Sequence, residues 1–225
     1  MFARATRARC SSSMAYLTGP KPYTYKPVTV LTMDSQMESW EKEGGVRFLK
    51  EIGLKPGQKV LDFGCRVGHY TIPAAEVVGD KGIVFAVDKE QHALNELELK
   101  ARANNFKNVN VIGTSGETTL GFESESIEVV LFYDVLHYLE KSDRKTLYRE
   151  AQRVLKQEGL LSVYPKHTLE DEPTQEFRSL SLSDVQQEIE DSNFVFEHKF
   201  CGMISHDDGL NNGCILNFRK GASAT

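Results

Sequence analysis

Apolar residues along this chain fall into short, nearly continuous runs, separated by longer stretches where they recur every three or four positions. The runs Lys59–Phe63, Ile83–Val87, Val109–Ile112, Ile127–Tyr133 and Leu160–Tyr164 read as strands. Ile127–Tyr133 is apolar almost throughout, as a strand covered on both faces is. Between the strands lie amphipathic stretches. The segment from about Glu90 to Asn104 puts Leu94, Leu97 and Ala101 on one helical face, and Asp143–Lys156 does the same with Leu147, Ala151, Val154 and Leu155. Another helix follows the first strand and runs through Val78, with Gly79 and Gly82 bracketing the next turn. Ahead of the first strand, Asp34 or Ser35 caps a helix through Trp40 that is broken near Gly44-Gly45 and resumes over Val46–Ile52. After the fifth strand, Leu182–Ser192 reads as a helix. Phe194–Cys201 and Cys214–Arg219 then read as two strands joined by a Gly/Asn/Asp loop without a helix, an antiparallel connection.

Strands alternating with helices predict an α/β fold: a doubly wound, mostly parallel, seven-stranded Rossmann-like sheet with an antiparallel last strand. With 225 residues and no internal repeat, one domain is expected over residues 34–225, preceded by an extended N-terminal arm at 1–33. No apolar run approaches the roughly 18 residues of a membrane span.

Charge sharpens this picture. The first 33 residues contain five basic residues and no acid, so the net charge of -5 leaves -10 for the rest. An acidic body is a poor partner for a nucleic-acid backbone. The expected partner is a small molecule, and the expected location is the cytoplasm, with the basic, serine-containing leader Arg4–Ser13 as a route to an organelle instead. The four cysteines form no C-x-x-C pair, so they are expected as free thiols, with Cys201 and Cys214 facing each other across a hairpin as the one place for a disulfide. The six histidines show no metal-ligand spacing, and no metal is expected from the sequence.

The stretch Val60-Leu-Asp-Phe-Gly-Cys-Arg-Val-Gly68 sits where a strand turns into a helix. Glycines there let the backbone approach a ligand closely, and an open parallel sheet binds ligands outside the carboxyl ends of its strands. Counting from Gly64, the G-x-G-x-x-G dinucleotide fingerprint meets Arg66 and His69 where glycines are needed, and no Gly-Lys-Ser/Thr makes a P-loop. An acid two residues before Gly64, with Gly68 four residues on, resembles motif I (D-x-G-x-G-x-G) of the class I S-adenosylmethionine-dependent methyltransferases. The resemblance extends over residues 46–219, through Gly53-Leu-Lys-Pro-Gly-Gln-Lys-Val-Leu-Asp62, Ser126–His137 and Arg153–Leu161. It implies S-adenosylmethionine as cofactor, with Asp62, Gly64 and Gly68 at its methionine portion. Asp88, ending the second strand, is placed to accept both ribose hydroxyls. Tyr133 at the end of the fourth strand completes the expected cofactor contacts, together with Ser115.

Two positions depart from the family pattern. Arg66 replaces the middle glycine, which is strained if that position has φ above zero; its side chain points to solvent or pairs the cofactor carboxylate. Ser115 stands where many members carry an acid for the adenine amino group, with Glu117 as its substitute if the loop shifts.

Transfer of an activated methyl mainly requires a nucleophile held in line. Candidate groups lie after the fourth and fifth strands (Tyr133, Asp134, His137, Tyr138, Lys166, His167) and beside the cofactor loop (His69, Tyr70). His137 is the preferred base because an ordinary imidazole titrates near neutrality, with Asp134 second. Trp40, Tyr23 and Tyr25 form a lid or pack in the core. The loop after the fourth strand lacks the D/N-P-P-Y of amino-methylating nucleic-acid enzymes. The expected activity is methyl transfer to a small-molecule acceptor. The alternative is a non-catalytic domain of the same fold that binds cofactor or a partner, suggested by Arg66 and Ser115. A short-chain oxidoreductase is disfavoured because no Tyr-x-x-x-Lys spacing occurs.

Overall fold

Strand β1 (Lys59–Phe63) is the centre of a seven-stranded sheet ordered β3-β2-β1-β4-β5-β7-β6 in this computed structural model, which describes residues 33–222. Parallel ladders join β1 to β2 (Ile83–Asp88) and to β4 (Ile127–Tyr133), β2 to β3 (Val109–Gly113), and β4 to β5 (Leu155–Tyr164). The last strand, β7 (Gly209–Lys220), runs antiparallel to both β5 and β6 (Phe194–His206). The expected sheet is thus the observed one. The expected arm at residues 1–33, with Tyr23 and Tyr25, lies outside the described residues except for Met33.

Alternation along the strands makes two cores. Val60, Val129, Leu131, Tyr133 and Leu160 face α2 (Gly45–Glu51) and α3 (Thr71–Val78). Leu61, Val130, Phe132, Leu161 and Val163 face α5 (Lys141–Val154) and α6 (Leu182–Glu190). The helix α4 (Gln91–Ala103) packs Leu94, Leu97 and Ala101 against Ile72 and Ala86, on the α3 side. With helices on both faces, the carboxyl ends of the strands offer the surface on which a ligand can reach backbone.

Three expectations about boundaries change. Gly44-Gly45 do not break the first helix: α1 (Met33–Ser39) continues through a π turn at Trp40–Gly44 into α2. The glycine is there for packing, since a Cβ on Gly45 would lie 2.9 Å from Pro73 Cγ and 3.1 Å from Trp40 Cε2. Strand β5 begins at Leu155, directly after α5, because Leu155 pairs with Ile127 ahead of a bulge that absorbs the polar residues following it. The Gly/Asn/Asp stretch at 202–213 is ladder, not loop, apart from a two-residue turn at Asp207-Asp208. Cross-strand pairing overrides weak strand propensity there. The same register puts Cys201 opposite Cys214, and the two form a disulfide; Cys65 is a free thiol. Among the described residues no helix is long and apolar enough to cross a membrane.

Candidate functional site

Strand β1 ends in a buried carboxylate and a turn built on glycines. Gly64 and Gly68 have φ of +79° and +88°. A Cβ on Gly64 would sit 2.2 Å from Val135 Cγ1, and one on Gly68 would sit 2.3 Å from Leu97 Cδ1. Both the backbone and the neighbours therefore select glycine. The N–H groups of Gly64 and Cys65 both point to Val87 O, at 2.7 and 3.1 Å, which ties the turn to β2.

Asp88, at the end of β2, holds the turn from the other side. Its Oδ2 accepts from Arg66 N (2.7 Å) and its Oδ1 from Glu90 N (2.9 Å). Each carboxylate oxygen keeps a free lone pair for a ligand hydroxyl. Asp62 is buried, with its Oδ2 accepting from Thr71 Oγ1 at 2.5 Å. Burial pushes its pKa up to about 7; the Thr71 hydrogen bond opposes the shift and the charge on Asp88 adds to it.

Arg66 does have the left-handed backbone, with φ +46°. Its side chain is half exposed. The guanidinium pairs with Asp207 (3.0 Å) and Asp208 (3.8 Å) at the tip of the β6–β7 hairpin. The same tip meets His69 through Asp208 (3.6 Å), and Tyr70 donates its hydroxyl to Ser205 O (2.7 Å). Trp40 is core rather than lid: it is buried against Phe48 and Tyr70, and its indole N–H donates to His69 O at 2.9 Å.

Ser115 and Glu117 come together just beyond β3. The Ser115 N–H donates to Glu117 Oε2 (3.0 Å) and its hydroxyl to Oε1, which holds the Glu117 carboxyl below its usual range. Tyr133 is buried at the end of β4. Strand alternation turns its ring into the α2–α3 core against Tyr70 and Phe48, and its hydroxyl pairs with Ser162 Oγ at 2.7 Å. Its polar end is used inside the core.

The donor set fits a nucleoside bearing a cationic chain: a carboxylate with free lone pairs for hydroxyls at Asp88, a second acid at Asp62, and a backbone that a Cβ would obstruct. Residues 60–159 match the family model of a methyltransferase domain.

That stretch is somewhat under half of the chain.

Among relatives, the chain is 31% identical over 128 residues to a demethylmenaquinone methyltransferase of Staphylococcus aureus, covering 56% of this chain and 48% of that protein. It is 28% identical over 116 residues to aklanonic acid methyltransferase of a Streptomyces species, covering 48% and 52%. The chain spans about half the length of the curated relatives it matches. In fold it is similar to an S-adenosylmethionine-dependent methyltransferase from Aquifex aeolicus, with a TM-score of 0.65 at 23% identity over 81% of this chain and 93% of that one.

Across the sheet from Asp88, the carboxyl ends of β4 and β5 form the other half of this face of the sheet. Asp134 follows β4 in a left-handed conformation (φ +57°), its N–H donating to Tyr164 O at 3.0 Å. His137 is buried on the short 3-10 turn Leu136–Tyr138, its Nδ1 3.3 Å from Asp134 Oδ1. His167, after β5, has φ +65° and brings Nε2 to 4.0 Å from the same oxygen. His206 donates from Nδ1 to Asp134 Oδ2 at 2.6 Å. Lys166 is buried on Asp171 (2.6 Å), while Tyr138 is exposed.

Sequence reasoning missed His206, because that reading placed it in a loop; only the hairpin register carries it to Asp134. His137 changes character. Burial lowers its pKa to about 4, and the neighbouring imidazoles oppose the pull of Asp134. It is thus a weak proton acceptor near neutrality, contrary to the reason for choosing it.

Proposed function

We propose that this domain transfers the methyl group of S-adenosylmethionine to a small-molecule acceptor seated over the ends of β4 and β5. The observation that carries the reading is the division of one sheet edge into two chemically different halves. Asp62, Gly64, Gly68 and Asp88 make a nucleoside cradle on one side. Asp134, His137, His167 and His206 make a polar cluster on the other.

In this reading Asp88 takes the ribose hydroxyls, the Gly64–Gly68 backbone receives the methionine portion, and Ser115 with Glu117 meets the adenine edge. The cofactor supplies a methyl group already activated as a sulfonium, so the protein's task is mainly to hold an acceptor in line. Asp134 and His137 orient that acceptor. The acidic body disfavours a nucleic acid, and the relatives named for aklanonic acid and demethylmenaquinone support a small molecule.

One observation favours a second, non-catalytic reading: Arg66 bolts the hairpin tip onto the cofactor turn. Calorimetric titration with S-adenosylmethionine and S-adenosylhomocysteine, for the wild type and Arg66→Gly, separates the two. Saturable binding by the wild type, followed by turnover in an acceptor screen, is the expected result. Binding gained only in Arg66→Gly supports the non-catalytic reading, and no binding by either protein rejects the cofactor site.

A further inference from the structure

We infer that Asp134, His137 and His167 form a binding site for one divalent transition-metal ion of the zinc class, with His206 orienting the carboxylate from behind. The juxtaposition is not visible as sequence spacing, since the residues come from the β4 loop, the β5 loop and the hairpin tip.

The argument starts from lone pairs. His167 Nδ1 lies 3.0 Å from the carbonyl oxygen of Glu172. A carbonyl oxygen only accepts, so Nδ1 carries the proton, and in the neutral ring Nε2 carries a lone pair. That lone pair lies 4.0 Å from Asp134 Oδ1, another acceptor. His137 Nδ1 is 3.3 Å from the same oxygen, yet neither atom has a hydrogen-bond partner although both are buried. The donor atoms of Asp134, His137 and His167 all lie within 4.8 Å of one another. Unpartnered buried polar atoms are costly, and three converging donors are what a cation between them would satisfy.

The spacing suits such an ion. Two ligands each about 2 Å from a tetrahedral zinc lie roughly 3.3 Å apart. The Asp134–His137 separation already meets that value, the Asp134–His167 separation requires a closure of less than an ångström, and the two imidazole donors lie within 4.8 Å of each other. Supporting contacts of the usual kind are present on two of the three ligands: a backbone carbonyl on the far nitrogen of His167, and His206 on the far oxygen of Asp134. Two ligands, Asp134 and His167, are held in left-handed backbone conformations that non-glycine residues seldom adopt. Two imidazoles and a carboxylate without a thiolate suit zinc or ferrous iron rather than a soft copper(I) site. Three protein ligands leave a coordination position open. Resting on the methyl-transfer reading, that position would receive an acceptor offering an anionic oxygen or nitrogen.

The test uses full-length, tag-free protein stripped with a chelator, then titrated with zinc chloride and, separately, cobalt(II) chloride. Bound metal is counted by mass spectrometry, and cobalt is followed by its visible absorption. About one equivalent is expected, weakened at least tenfold in His167→Gln and in His137→Ala, and unchanged in His92→Ala, an exposed histidine elsewhere. His167→Gln, at a partly exposed position, stands if His137→Ala does not fold. Stoichiometric binding lost in neither ligand variant, or no binding by the wild type, overturns the site and leaves water as its occupant. S-adenosylmethionine binding is measured in parallel. Metal bound without cofactor rejects the methyl-transfer reading alone, and cofactor bound without metal rejects the metal site alone.

Discussion

Arg66 Nη1 lies 3.0 Å from Asp207 Oδ1, joining the third residue of the cofactor turn to the tip of a hairpin 141 residues later in the chain. An exposed ion pair of this kind contributes about 0–1 kcal/mol. The left-handed backbone of Arg66 costs roughly 1–2 kcal/mol relative to glycine. Arg66→Ala loses the pair and keeps the strain, whereas Arg66→Gly loses both. The glycine variant is therefore expected to be the more stable of the two by about 1 kcal/mol, read from urea midpoints at equal slope.

Gly68→Ala tests the cradle. It adds a Cβ at φ +88° and 2.3 Å from Leu97 Cδ1. A loss of about 1–3 kcal/mol is expected, with a large drop in cofactor affinity by calorimetry. In Gly64→Ala the steric neighbour is Val135, 2.2 Å away. Adding Val135→Ala should recover part of the loss but not the backbone strain. Full recovery in the double variant would show that the conformation itself is not required.

Asp62 makes stability depend on pH. Its carboxyl is raised from an ordinary value near 3.8 to about 7 by burial, so the folded state holds a proton that the unfolded state has released. The contribution of this group is then largest below about pH 4 and declines as pH rises to about 7. Asp62→Asn should remove that decline from the urea midpoint measured across this window. A cationic cofactor favours the ionised form, so binding near pH 7 should release a proton in the wild type and none in Asp62→Asn. Binding enthalpies in buffers of different ionisation enthalpy read this directly.

Tyr133→Phe separates core from cofactor site. The hydroxyl bonds Ser162, which donates in turn to Asn217 Oδ1 at 2.7 Å. Losing it should lower stability by about 1 kcal/mol while leaving S-adenosylmethionine affinity unchanged. A tenfold weaker affinity with stability intact would return Tyr133 to the cofactor groove.

The Cys201–Cys214 disulfide closes a short segment within a hairpin that is already paired along its length. The entropic gain for a loop of that size is about 3 kcal/mol at most, and less when the unfolded ribbon retains structure. Cys201→Ser should lower the urea midpoint modestly and leave cofactor binding intact.

The sequence by itself determined the strand–helix alternation, the cofactor turn, and the acid at the end of β2. Each rests on neighbouring residues: hydrophobic period, glycines at a strand end, and a carboxylate at the point where a strand stops. Tertiary structure decided which way side chains point and which distant segments meet. Alternation on β4 turned the Tyr133 ring into the core. His206 entered the site because the hairpin pairs through Gly202 and Gly213 to a turn at Asp207. The cluster of Asp134 with His137, His167 and His206 arises from two loops and a hairpin tip brought to one sheet edge. Such contacts follow from long-range packing, which no local spacing of residues encodes.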